Sequence, residues 1–100
     1  MAGAGFVTPL EVIEALAESG EEILLADGFE DALLGATQTF ERGGYRYRAV
    51  YSVRGCVEIL MRQGSTYERA VEYLDYNTLG AYCGEGTPSF LLDLEHEYRL

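Results

Sequence analysis

Two rows of carboxylates are the side chains of this sequence best placed to do chemistry. Their members are Glu11, Glu14 and Glu18 in one row, and Glu68, Glu72 and Asp75 in the other. On a helix, carboxylates at this spacing share one face and stand about 4.5–6 Å apart along the axis. Backbone phosphates have a comparable spacing, so the rows favour binding to a basic protein, in the sharpest case as a DNA mimic. A solvated helix face that only keeps the protein soluble is the alternative.

Two tyrosines flank the second row on the side that is predicted to face solvent. They are Tyr73 and Tyr76, and the chain has eight tyrosines in all. Tyrosine is enriched in protein–protein interfaces, although core packing explains part of this number. We therefore expect the two acidic rows and these two tyrosines to form a partner-binding surface.

A second candidate site is basic and would bind a small anionic ligand such as a nucleotide. Arg46 and Arg48 alternate with tyrosines on a predicted strand, which places both arginines on one face. The glycine-rich stretch around Gly84 and Gly86 would add backbone contacts, although it lacks the P-loop lysine and the dinucleotide spacing. The alternative for the arginines is a structural role in cross-strand salt bridges and packing.

The net charge excludes several classes of function. Seven basic residues, all of them arginine, stand against seventeen acidic ones, which gives a net charge of −10. Such a surface repels phosphate backbones and anionic membranes, so we expect neither direct nucleic-acid binding nor membrane binding. The basic zone from Arg42 to Arg54 is suited to an acidic helix of a second copy, which favours a homodimer.

We expect no metal, no cofactor and no catalysis. Cys56 and Cys83 are isolated and the chain has a single histidine, so a zinc site has too few ligands. Asp27, Glu30 and Asp31 surround a turn, but their spacing does not match a calcium loop. No nucleophile–base set can be assembled. No apolar run reaches about 18 residues and no signal-peptide pattern is present, so we expect a cytoplasmic protein.

The length and patterning predict a single acidic domain over residues 1–100, of class α+β. Capping residues and glycine stops predict helices over 8–20, 52–63 and 65–78. Apolar or alternating runs predict strands over 22–26, 33–41, 45–51 and 89–100. The expected architecture is a mainly antiparallel sheet of about four strands with three helices on one face.

The third helix and the glycine-rich stretch lead to two further expectations. A capping box over Ser65-Thr66-Tyr67-Glu68 begins the helix, and Leu74 centres its apolar stripe, so Leu74 is expected to be buried against the sheet. The density of glycines at Gly80, Gly84 and Gly86 predicts that at least one takes a positive φ.

One part of the chain resembles a known group of proteins. Residues 72–90 read EYLDYNTLGAYCGEGTPSF, and the upstream stretches 26–29 and 32–35 read ADGF and ALLG. These stretches resemble small proteins encoded by tailed bacteriophages, most specifically in the Glu-Tyr…Gly-Ala…Gly-Glu…Thr-Pro pattern. The resemblance implies a setting, in which small acidic proteins bind and disable a host protein, including host defence systems, in the host cytoplasm. It assigns no functional residue.

Overall fold

A computed structural model describes residues 8–75 and 86–93 of the chain. These residues form three α-helices, three strands and a short 3-10 helix, so the predicted α+β class is confirmed. In chain order the elements are α1 (Pro9–Glu18), the 3-10 helix (Glu30–Ala32), β1 (Leu33–Glu41), β2 (Gly44–Ser52), α2 (Val53–Arg62), α3 (Tyr67–Leu74) and β3 (Ser89–Leu91). Within the described ranges, every helix is too short or too polar to span a bilayer.

The first helix begins and ends where its capping residues predict. The Thr8 hydroxyl accepts a hydrogen bond from the Glu11 amide, and the Glu11 carboxylate accepts one from the Thr8 amide, both at 3.3 Å. At the other end Gly20 has a φ of 94°, and the Glu21 amide donates to the Leu16 carbonyl at 3.1 Å. This glycine-dependent closure satisfies carbonyl groups that the last turn of a helix leaves without partners.

The junction between α2 and α3 corrects the predicted start of the third helix. Gly64 has a φ of 111°, and the Ser65 amide donates to the Leu60 carbonyl at 3.1 Å, which closes α2. Because Ser65 belongs to this closure, Thr66 caps α3 and its hydroxyl accepts from the Arg69 amide at 3.2 Å. The predicted capping box is therefore wrong: the cap lies one residue later, and Arg69 stands where a box needs glutamate or glutamine. Residues 76–78 of the predicted helix lie outside the described residues.

The predicted hairpin is confirmed. β1 and β2 pair antiparallel, and the pair Glu41 and Gly44 closes the turn around Arg42 and Gly43. Gly43 has a φ of 90° and Gly44 a φ of 128°, backbone angles that side chains disfavour. A turn whose second central residue has a positive φ requires glycine there, and Gly43 directly after Arg42 supplies it, which is why this sequence turns here.

The rest of the sheet differs from the prediction. β3 pairs with β2 in parallel, so the described sheet is mixed, with three strands in the order β1-β2-β3. Parallel neighbours need a long crossover connection, and α2 and α3 supply it. The predicted placement of all helices on one face is not fully met, since α3 packs chiefly against α2. The predicted last strand ends at Leu91, and its residues 94–100 lie outside the described residues.

The predicted strand over residues 22–26 is wrong. This segment carries no strand, although two of its backbone amides are hydrogen-bonded to distant parts of the chain. The Leu24 amide donates to the Gly86 carbonyl at 3.2 Å, and the Ala26 amide donates to the Tyr51 hydroxyl at 2.8 Å. These partners lie far away in the sequence, and they satisfy the backbone amides of the segment as a neighbouring strand otherwise would.

Position 86 has room only for glycine, because the backbone of the 22–24 segment lies close to it. A Cβ atom at this position would lie 2.9 Å from the Glu22 carbonyl oxygen and 3.4 Å from Cγ of Leu24, and the first distance is too short for any real side chain. Gly80 and Gly84 lie outside the described residues, so the expected positive φ stays a prediction for them.

The core lies where the helices meet the sheet, and it contains the predicted stripe of α3. Leu74 is fully buried, as predicted, although α3 packs chiefly against α2 and not against the sheet, and Ala70 lies beside Leu74 on the same face of the helix. The buried apolar residues are Ile13, Phe29, Ala32, Ala49, Tyr51, Val53, Cys56, Val57, Ile59, Ala70 and Leu74.

A carboxylate from the far end of the described chain holds the start of α2. Asp93 accepts a hydrogen bond from the Ser52 hydroxyl at 2.6 Å and another from the Arg54 amide at 2.8 Å. The Ser52 oxygen also accepts from the Gly55 amide at 2.8 Å. Burial alone would raise the pKa of Asp93, but the hydrogen bonds from Ser52 and Arg54 outweigh it and lower that pKa below its ordinary value. The positive end of the helix dipole favours the same charge.

Replacing Asp93 with asparagine is expected to lower the free energy of unfolding by about 0.5–2 kcal/mol near neutral pH. Because the pKa of Asp93 is lower in the folded state than in the unfolded state, its ionised carboxylate stabilises the fold at pH values above the unfolded-state pKa. This stabilisation is lost as the pH falls through the folded-state pKa. The difference in the free energy of unfolding between Asp93→Asn and the parent should therefore narrow below pH 3.8, the ordinary pKa of aspartate. Urea unfolding at neutral and at acid pH measures this difference. Asp27→Asn, at an exposed position, is the control, and equal stability of parent and Asp93→Asn at neutral pH would contradict the assignment.

Candidate functional site

The first acidic row lies on the exposed side of α1. Glu11, Glu14 and Glu18 are all exposed, while Ile13 on the same helix is buried in the core. Burial of Ile13 fixes the rotation of the helix, so the carboxylates point to solvent. Glu11 has a structural role as well, because it closes the capping box with Thr8.

The second acidic row lies on α3 and at its end. Glu68 and Glu72 are exposed residues of the helix, and the exposed Asp75 is its C-cap. Ala70 and Leu74 are buried on the opposite side and fix the rotation of α3. The two rows rest on different elements, since α1 packs against β1 and α3 against α2.

The tyrosines that flank the second row are described in part. Tyr73 is 48% exposed, so the side chain is available at the surface beside Glu72. Tyr76 lies outside the described residues. A half-exposed tyrosine offers a partner an apolar ring together with a polar hydroxyl.

Four of the carboxylates in the two rows form no ion pair within the described part of the chain. Among residues 8–75 and 86–93, no arginine forms an ion pair with Glu14, Glu18, Glu68 or Glu72. A basic surface that approached these four carboxylates would meet negative charge without first having to break a salt bridge to a described residue.

One of the carboxylates stands where the helix dipole opposes it. Glu18 is the last residue of α1, and this helix has no basic residue in its last turn. A negative charge at the carbonyl end of a helix costs about 0.3–1 kcal/mol when it is exposed. Solubility does not require this cost, because carboxylates at other exposed positions would provide the same net charge.

The arginines of the second candidate site are paired within the hairpin. Nη1 of Arg48 lies 3.4 Å from Oε2 of Glu41, and Nε of Arg46 lies 3.9 Å from Oε1 of the same carboxylate. The cross-strand salt bridges considered from the sequence are therefore present. An anionic ligand would have to displace Glu41 from both guanidinium groups.

A cavity of about 310 Å³ lies between the start of α1 and the start of β1. Most of its lining is apolar, and the polar groups it contains are acidic or hydroxyl-bearing. The lining residues are Thr8, Pro9, Leu10, Leu25, Glu30, Asp31, Leu33 and Tyr51. No arginine is among them, so the cavity does not suit an anionic ligand. Gly86 contacts the 22–24 segment, and Gly84 lies outside the described residues.

The described residues contain no group of three or more potential ligands placed to hold a metal ion. Burial raises the pKa of the Cys56 thiol to about 12, so this side chain is a protonated core residue at neutral pH. Cys83 and His96 lie outside the described residues. Glu30 accepts a hydrogen bond from the Gly28 amide at 3.3 Å, which gives it a role in the turn.

The structure also shows an exposed aromatic pair that the sequence reasoning missed. Phe40 and Tyr45 are register partners beside the hairpin turn, with ring centroids 5.4 Å apart in an edge-to-face arrangement. Phe40 is 75% exposed and Tyr45 is 53% exposed. Their symmetric placement around the predicted turn was the signal in the sequence.

Comparison of the chain with protein-family models, curated proteins and solved structures found no match. The candidate surface is therefore defined by its own geometry and charge.

Proposed function

We propose that this chain is a non-catalytic accessory protein of the phage type, which binds a basic host protein through its two acidic rows and inhibits it. The observation that supports the proposal most strongly is the exposure of carboxylates in both rows without arginine partners among the described residues. Glu14 and Glu18 on α1, and Glu68 and Glu72 on α3, are all in this state.

The spacing of the carboxylates favours a partner that normally binds nucleic acid. Neighbouring members of a row are separated by three or four residues, which corresponds to about 4.5–6 Å along a helix. A protein surface that carries arginine and lysine for phosphate contacts would meet similarly spaced negative charges here. Inhibition then follows because the acidic rows occupy the surface that the nucleic acid needs.

Charge and shape have separate roles in this proposal. A net charge of −10 attracts a basic partner over a distance and raises the association rate constant. The half-exposed ring of Tyr73 supplies apolar contact once the surfaces meet, and such contact acts mainly on the dissociation rate constant. The cost of placing Glu18 at the end of α1 is consistent with selection for binding.

The experiment that tests this proposal is capture of the partner from a bacterial host lysate by the immobilised chain. The parent chain is expected to retain a basic protein, whereas Glu68→Arg with Glu72→Arg should lose it. Both positions are exposed and lie opposite the buried stripe of α3, so the double variant should fold as the parent does.

The matched control changes the same amount of charge away from the acidic rows. Glu22→Arg with Asp27→Arg alters two exposed positions between α1 and β1, and it should retain the partner. Equal loss in both double variants would show that net charge alone matters. Equal retention of the partner by both double variants would show that the acidic row of α3 does not bind it.

A further inference from the structure

The first strand leaves an uncharged edge of the sheet exposed. β1 forms one edge in the strand order, and among the described residues it pairs with β2 alone. The four consecutive residues 37–40 are exposed, which means that both faces of the strand are open there. Residues 33–40 contain neither a charged residue nor proline, the usual features that keep edge strands from pairing with another chain.

The register of the hairpin shows which backbone groups face outward. The closing pair of a two-residue turn is hydrogen-bonded, and pairs alternate from there along an antiparallel ladder. Since Glu41 and Gly44 close this turn, the alternate residues Ala36, Gln38 and Phe40 direct their amide and carbonyl groups away from β2. These groups form a regular row along the free edge.

We propose that β1 pairs antiparallel with β1 of a second copy of this chain, around a two-fold axis at Gln38. Gln38 then lies opposite Gln38 of the second copy, and Ala36 lies opposite Phe40. This register joins the outward groups of both copies in about six backbone hydrogen bonds. The β-bulge between Leu33 and Gly35 ends the regular stretch, so residues 36–40 are the part that pairs.

The side chains along this edge are complementary to themselves in that register. The large ring of Phe40 meets the small side chain of Ala36, which is partly buried against the core. On the other face Thr37 meets Thr39, a favourable cross-strand pair. Phe40, which is 75% exposed in the single chain, gains apolar cover in the pair.

Little of the net charge of −10 lies along this edge. Residues 33–40 carry no charged side chain, and Arg46 and Arg48, which lie opposite Thr39 and Thr37, are paired with Glu41. Two copies can therefore approach each other along β1 without bringing carboxylates face to face.

Sedimentation equilibrium of the full chain tests the proposal. The parent is expected to dimerise, and Gln38→Lys should raise the dimer Kd by about tenfold or more, because two lysines then face each other at the axis. Gln63→Lys is the matched control, since it makes the same substitution at an exposed position at the end of α2. Its Kd should equal that of the parent.

A disulfide trap reads the register of the pair. In a Cys83→Ser background, Gln38→Cys should form a covalent dimer, because hydrogen-bonded partners have Cα atoms about 5.5 Å apart, within disulfide range. Phe40→Cys should not, because its two copies would stand about 13 Å apart along the strand. A monomeric parent, a Gln38→Lys dimer as tight as the parent, or cross-linking through position 40 and not 38 would each overturn the proposal.

Discussion

Replacing Leu74 with alanine is expected to lower the free energy of unfolding by about 2–5 kcal/mol. The Leu74 side chain is fully buried, and Ala70 beside it on α3 is fully buried as well. Removing the side chain leaves a cavity that the surrounding helices and sheet can fill only in part, so the loss exceeds the transfer free energy of the removed carbons. Urea denaturation followed by circular dichroism measures the difference.

The control for this prediction is Leu10→Ala, on α1. Leu10 is 45% exposed, so its truncation should cost less than about 1 kcal/mol. Equal losses at the two positions would mean that the rotation of α3 is wrong. The same result would count against the acidic surface, because burial of Leu74 is what directs Glu68 and Glu72 toward solvent.

Replacing Tyr51 with phenylalanine is expected to cost about 1–3 kcal/mol, although it removes a single oxygen. The Tyr51 hydroxyl accepts a hydrogen bond from the Ala26 amide at 2.8 Å, and the ring is buried and stacked on Phe90. Without the oxygen, the partly buried Ala26 amide loses its acceptor, and the segment around it loses one of its two described hydrogen bonds to the rest of the fold.

The matched control is Tyr47→Phe, because the Tyr47 hydroxyl also accepts a hydrogen bond at 2.8 Å, from the exposed Gln38 side chain. Its cost should stay within about 0.5 kcal/mol. Burial raises the pKa of Tyr51 above its ordinary value of 10.0, so the parent loses this stabilisation as the pH rises through the folded-state value. The difference in the free energy of unfolding between Tyr51→Phe and the parent should narrow at alkaline pH. Equal costs at positions 47 and 51 would contradict the account.

The elements that the sequence predicts well are those determined by neighbouring residues. The capping box of Thr8 and Glu11 defines the start of α1, and Gly43 and Gly44 define the hairpin turn. In each case the residues that determine the structure lie within a few positions of one another. Local hydrogen bonds and backbone angles are therefore sufficient to identify them.

The elements that the sequence predicts poorly depend on residues that are distant in the chain. The apolar run over residues 22–26 has the composition of a strand, but Tyr51 and Gly86 satisfy its backbone. β3 has the alternation of a strand, but alternation does not reveal that its neighbour β2 runs parallel. Ser65 and Thr66 are both suitable helix caps, and the closure of α2 decides between them.

The candidate site shows the same division. Exposure of the acidic rows follows from helical periodicity, so the sequence predicts it. The pairing of Arg46 and Arg48 with a single carboxylate, Glu41, depends on the strand register. The free edge of β1 depends on the order of the strands, which no local pattern contains.

The association rate constant for the captured partner, measured at low and at physiological ionic strength, tests the acidic-surface proposal most directly. At physiological ionic strength charge acts over about 8 Å, so the rate for the parent chain should fall steeply between the two conditions. Glu68→Arg with Glu72→Arg should associate more slowly and show a weaker salt dependence, while Tyr73→Ala should mainly speed dissociation. An association rate that is the same for the parent and the charge-reversed variant at both ionic strengths would contradict the proposal.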